Sequence, residues 1–226
     1  MTYTQTIRSD LFGHPEGTVY FASRHYQTHL SKTIPSDIFY KTLERMVASN
    51  DLGKLAKGIY YRPIQSKYGV IPPSEENIIK TFIEQESDGM EVGYGLYNRL
   101  GLSTQIAKVR SFFLNERSFE SKNVMNLTFH SVPLKFDEPV KDQVALLEVL
   151  QDYASIQNLD KNAFHRFLAE TIRDYRDEVL DEILRAKRYR PSVLAFYRDV
   201  LNEYSVQNEI IKYLSPSSDY HIPDWR

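Results

Sequence analysis

His25 and His29 stand four residues apart in "HYQTH", the spacing at which two imidazoles on one helix face can share a metal ion. The tract lacks the glutamate of an H-E-x-x-H pair, and the chain has no cysteine to complete a zinc site. A surface helix carrying two histidines is the simpler expectation. The remaining histidines, His14, His130, His165 and His221, are scattered and suggest no constellation. No metal and no cofactor are therefore expected. A second constellation is Glu120-Ser121-Lys122, an E-x-K of the kind with which some nucleases hold a metal and position water. It needs a further acid on a neighbouring strand, and Asp88, directly before a glycine, is in the wrong context to supply one. The tripeptide reads as a solvated strand end. In "RDYRDEVLDEILRAKR", Asp181 and Arg185 sit at i, i+4, and Arg173 and Asp177 repeat the spacing in reverse order. Such pairs contribute about 0.3 kcal/mol each on an exposed helix, which makes this a charged outer face. No G-x-x-x-x-G-K-[ST], G-x-G-x-x-G or G-x-S-x-G tract is present, so nothing points to a nucleotide cofactor or acyl transfer, and no enzymatic activity is expected.

The third constellation is cationic. Lys54, Lys57 and Arg62 cluster in "LGKLAKGIYYRP" around a Lys-Gly turn, and the run before it carries Ser36, Tyr40, Lys41 and Arg45. Polar side chains on the exposed N-terminal half of a helix can reach base edges in a DNA major groove, while cations on an adjoining hairpin can sit against phosphates. Ser36, Tyr40 and Lys41, with Arg45 toward the edge of the face, meet the first demand. Lys54, Lys57 and Arg62 meet the second. A small helix-plus-hairpin domain with an ordinary solvated face would carry similar lysines, and such domains also serve as protein-interaction modules.

The elements that must hold these side chains follow from pattern. "TYTQTIRSDLF" is a short helix, and "GTVYFAS" is a strand that ends at an N-cap, Ser23. "RHYQTHL" is a second short helix, and "SKTIP" is a turn whose Pro35 suits the first position of the next helix. In that helix Phe39, Leu43, Met46 and Val47 recur at steps of four, three and one and form the buried stripe. "KLA" and "IYYR" then pair as a hairpin about Lys57-Gly58, with Tyr60 and Tyr61 pointing to opposite faces. Helix, strand, helix, helix, hairpin is the order of a winged helix-turn-helix, assigned to residues 1–70. "GVIPPSE" is the linker. An α+β middle domain over 71–138 begins with a helix capped by Ser74, continues with "EVGYGLYNRLG" as a helix closed by Gly101, and ends in two or three strands. Residues 139–226 are helical, with one long helix over "KNAFHRFLAETIRDYRDEVLDEILRAKRYR" and a loose tail, "SPSSDYHIPDWR".

The fold class expected is thus α+β, and the bulk numbers agree with an ordinary globular chain. Of 226 residues, 42% are hydrophobic and 26% charged, which excludes wholesale disorder. The absence of cysteine, of a signal peptide and of any long apolar run predicts a cytoplasmic protein with no membrane partner. Net charge is −2, yet residues 1–70 hold nine Lys and Arg against five Asp and Glu, while each later third is acidic by three. The only positive segment is the one that carries the cationic hairpin.

"FYKTLERMVASNDLGKLAKGIYYRP", followed by "YGVIPPSEENI" and "GYGLYNRLGLSTQ", resembles the AbiEi-type antitoxins of bacterial type IV toxin-antitoxin systems. The shared features are a helix and a hairpin ending in glycine, aliphatic, tyrosine and proline, then a helix end built here of Gly95, Leu96, Leu100, Gly101, Leu102, Ser103, Thr104 and Gln105. Tyr97 stands where a small polar residue is ordinary. The resemblance covers roughly residues 15–136 and weakens beyond. It implies a winged helix that binds double-stranded operator DNA of its own operon as a repressor. It also implies a second domain that counteracts a nucleotidyltransferase-like toxin, directly or indirectly. A stand-alone winged-helix transcription factor without a toxin would look the same.

Overall fold

The structure is a computed structural model that describes residues 2–84, 86–116 and 121–226. The fold is α+β, and its contacts divide into two compact units, Met1–Glu84 with Asn123–Met125, and Gln85–Lys122 with Asn126–Arg226.

The first unit begins with helix α1 (Tyr3–Phe12), whose N-terminus is closed by a capping box. The Thr2 hydroxyl accepts from the Gln5 amide, and the Gln5 side chain accepts from the Thr2 amide. Strand β1 (Val19–Phe21) runs straight into helix α2 (Ala22–His25), which loosens into a π-helical turn at Tyr26–Leu30. Ser23 is therefore inside the helix and caps nothing; Phe21 holds the N-cap position without a side-chain bond. The turn widens because Tyr26 and Leu30 both reach the core, and the Tyr26 hydroxyl donates to the Ile34 carbonyl at 2.8 Å. Helix α3 (Ser36–Ala48) starts at Pro35, which is its N-cap. Phe39, Leu43 and Met46 are at most 2% exposed, so the expected stripe faces inward, with Val47 at its margin.

Strands β2 (Gly53–Ala56) and β3 (Ile59–Tyr61) form the expected hairpin, and β1 pairs with the other edge of β3. Gly58 supplies the positive φ of the turn, at +79°. A bulge at Leu55 shifts the register, so Lys54 lies opposite Tyr60 and Gly53 opposite Tyr61. Tyr60 is the inward tyrosine, packed with Leu43 and Met46; Tyr61 lies over Gly53, where an added Cβ would come within 2.0 Å of its ring.

Two features after Arg62 depart from expectation. The tract expected as a linker holds a second hairpin, β4 (Ile64–Ser66) with β5 (Gly69–Ile71), whose tip exposes Lys67 and Tyr68. Helix α4 (Glu75–Phe82), capped by Ser74 as expected, belongs to the first unit; Phe82 meets Phe21 with ring centroids 5.4 Å apart.

The second unit contains strands β6 (Gly89–Val92) and β7 (Arg110–Leu114), the first half of β8 (Ser121–Val124), whose Asn123 and Val124 are counted with the first unit, strand β9 (Leu127–Ser131) and helices α5 (Tyr94–Arg99), α6 (Glu138–Asp152), α7 (Lys161–Thr171), α8 (Asp177–Ala186) and α9 (Pro191–Glu203). β7 pairs antiparallel with β6 and parallel with β9. Glu91 and Val92, read as the start of a helix, lie in β6. One core runs from Met90 to Trp225 and unites what the sequence divides near residue 138. Helix α6 is its axis, with Val144, Leu146, Leu147 and Val149 all buried, as befits a helix surrounded on every side.

The long helix expected from Lys161 breaks without a proline. A 3-10 turn at Ile172–Asp174 leads to Tyr175 at ψ 135°, and the Tyr175 hydroxyl donates to Asp177 Oδ1 at 2.6 Å, at the first residue of α8. The tail is anchored. Trp225 is 2% exposed against Phe164 and Phe196, and its indole N–H donates to Asp199 at 2.9 Å.

Candidate nucleic-acid interface

Helix α3 places Ser36, Tyr40, Lys41 and Arg45 on the face away from its buried stripe, and all four are exposed. Tyr40, 38% exposed, rests edge-on against Phe39 with centroids 5.2 Å apart, so its ring is braced while its hydroxyl end projects. Lys41 lies 3.7 Å from Asp37 one turn earlier, a loose exposed pair that a stronger anion can displace. Asp37 and Glu44 are exposed on the same helix and temper its charge.

On the hairpin, Lys54 and Lys57 are exposed. The Lys54 ammonium lies 5.8 Å from the Tyr60 ring centroid. Arg62 is placed differently from its two partners. Its guanidinium Nη1 donates to the Phe12 carbonyl at 2.8 Å and to the His14 carbonyl, and the group lies over the Phe12 ring at 5.3 Å. It ties the end of β3 to the end of α1, leaving Lys54 and Lys57 as the outward cations of the hairpin. The tip of the second hairpin, with the Lys67 ammonium 4.9 Å from the ring of Tyr68, adds an exposed cation and aromatic that sequence reasoning passed over. The signal was present in the β-branched Val70 and Ile71 behind a Tyr-Gly turn, masked by the prolines that follow.

The "LGLSTQ" segment is structural in the second unit. Gly101 has φ +69°, the Leu102 amide donates back to the Tyr97 carbonyl at 2.8 Å, and Leu102 is fully buried. Ser103 donates to the Gln157 carbonyl, and Asn98 donates to the Gln105 carbonyl at 2.9 Å. Tyr97 is buried, donates to Asp152 at 2.8 Å and has its hydroxyl pKa driven up, first by burial and then by that carboxylate. Of the E-x-K residues, Glu120 lies outside the described residues.

His25 and His29 do stand on one face, with ring centroids 4.7 Å apart, but His25 is no surface residue. Its side chain is 9% exposed, and Nε2 lies 2.6 Å from Asp10 Oδ2. Burial lowers the His25 pKa, Asp10 opposes that shift, and His29 and His14 reinforce it. His14, remote in sequence, turns toward both, its ring centroid 5.8 Å from that of His25 and 6.4 Å from that of His29.

A family model matches residues 6–124, more than half of the chain. The chain belongs to DUF6088, a family of unknown function. This DUF6088 member is also similar to a solved structure, the RV2827C protein from Mycobacterium tuberculosis, at 15% identity and a TM-score of 0.39, over 91% of this chain and 78% of that one. No curated protein matches it. Helices α6 to α9 lie beyond the part matched by the family model. Among the described residues, no helix is long and apolar enough to cross a membrane.

Proposed function

We propose that this DUF6088 protein is a DNA-binding transcriptional regulator whose first unit is a winged helix-turn-helix, with α3 as recognition helix and β2–β3 as wing. The observation that carries the reading is that Ser36, Tyr40, Lys41 and Arg45 on α3 and Lys54 and Lys57 on β2–β3 are exposed around one shared core. Side chains braced on a packed helix can be held to base edges, and cations on a short hairpin can meet phosphate without ordering a long loop. The surplus of basic residues in the first 70 supports the same face.

From the resemblance to AbiEi-type antitoxins, the reading extends to an antitoxin that represses its own operon and counteracts a nucleotidyltransferase-like toxin encoded beside it. A stand-alone regulator is the second reading, since the helical residues 139–226 correspond to nothing in that resemblance. A neighbouring open reading frame of nucleotidyltransferase type separates the two. The direct test is a gel-shift titration on the upstream region of the gene, with and without the neighbouring gene product. Retarded bands at sub-micromolar protein, abolished by scrambling the upstream sequence, support the reading. Equal affinity for scrambled DNA refutes a regulator. Tyr40→Ala should narrow the ratio of specific to non-specific affinity, by about 1–3 kcal/mol if it reads a base.

A further inference from the structure

A cleft of about 230 Å³ in the first unit is lined by His14, Tyr20, Arg24, His25, Thr28 and His29. Asp10 in the last turn of α1, His14 just beyond that helix and His25 at the end of α2 each offer one ligand atom, all within 4.8 Å of one another. A structural hydrogen bond accounts for Asp10 and His25. It leaves the other imidazoles unexplained: among the described residues, neither the His14 nor the His29 ring nitrogens have a protein hydrogen-bond partner, yet both rings turn toward His25. A metal ion takes an imidazole through a ring nitrogen that carries no proton, and the His14 and His25 rings present such nitrogens to one another across a short distance.

We propose that Asp10, His14 and His25 form a binding site for one divalent transition-metal ion of the zinc class, with His29 at its mouth. A tetrahedral ion with bonds of about 2.0–2.1 Å spaces its ligand atoms about 3.3 Å apart, so the cluster needs only modest rotamer adjustment, including a parting of Asp10 from His25. Imidazole nitrogens with one carboxylate select zinc, nickel or cobalt over magnesium and calcium, which prefer oxygen ligands. The ion would pin the end of α1 to the end of α2, two elements that no disulfide can join in a chain without cysteine. It would not touch the exposed face of α3, so the site stands independently of the DNA-binding reading.

The test uses the full chain without a polyhistidine tag, freed of metal by chelator dialysis. Zn²⁺ is titrated against a chromophoric competitor, and Co²⁺ is titrated by its visible d–d absorption. One equivalent per chain at micromolar affinity or tighter, with a raised melting temperature, is expected. His14→Gln and Asp10→Asn, each checked for native circular dichroism, should both weaken binding tenfold or more, and His221→Gln should not. Absence of binding up to about 100 µM metal, or unchanged affinity in either folded variant at Asp10 or His14, overturns the proposal.

Discussion

Replacing Lys54 and Lys57 together by alanine isolates the hairpin's part in nucleic-acid binding. Both lysines are exposed, and Lys54 adds only a distant approach to the Tyr60 ring, so folding stability should move by less than about 0.5 kcal/mol. Binding should respond in a defined way. Removing one lysine from its phosphate lowers the slope of log K against log salt by about 0.9, so the double variant should lose about 1.8. Between 50 and 200 mM salt, the native chain should then lose roughly twelvefold more affinity than the variant does. Fluorescence anisotropy on a labelled upstream fragment at four salt concentrations measures this, with the melting temperature as control for folding. A variant that keeps its melting temperature and its native slope would refute the assignment of β2–β3 to phosphate. Arg62→Ala serves as contrast, because it removes the bonds to the Phe12 and His14 carbonyls and should lower the melting temperature as well.

Trp225→Ala should cost about 3–5 kcal/mol in chemical denaturation, the range for emptying a large buried aromatic site, and a loss under 1 kcal/mol would return the tail to a loose end. Gly101→Ala should cost about 1 kcal/mol, because its Cβ meets nothing within 4 Å and only the positive φ is strained. His130 is held below its usual pKa by burial and by the nearby Lys187 charge, with Glu148 opposing. Protonation is therefore easier in the unfolded chain, and stability should be full above about pH 6.5 and decline as pH falls below it. His130→Gln should flatten that decline in denaturation midpoints, and an equally steep profile would show that other groups carry it.

Signals carried by neighbouring residues were legible in the sequence. The stripe of Phe39, Leu43 and Met46, the Lys57-Gly58 turn, the Ser74 cap and the Gly101 helix end all follow from spacing or backbone preference within a few residues. What escaped depends on partners far along the chain. The π-helical turn answers to Tyr26 reaching past its own helix toward Ile34 and Phe39. The helix break at Tyr175 contains neither glycine nor proline, so no local breaker announced it. Trp225 sits in a segment without periodicity, and its burial is visible only once Phe164 and Phe196 are brought to it. On the outer faces, exposure of Ser36, Tyr40, Lys41, Arg45, Lys54 and Lys57 followed from the amphipathic pattern, whereas Arg62 was captured by carbonyls some fifty residues away. The convergence of His14 on His25 likewise has no signature in spacing.

The bulge at Leu55 bears on how this gene can drift. It sets Gly53, the one residue able to lie beneath the Tyr61 ring, opposite that tyrosine. Pairing Leu55 regularly with Tyr60 would instead put Lys54 against Tyr61, so a change that straightens the bulge while keeping the residue would disturb ring, glycine and cation together. Gly53 should therefore persist across related genes wherever an aromatic ring stands at position 61, because any added Cβ would collide with it.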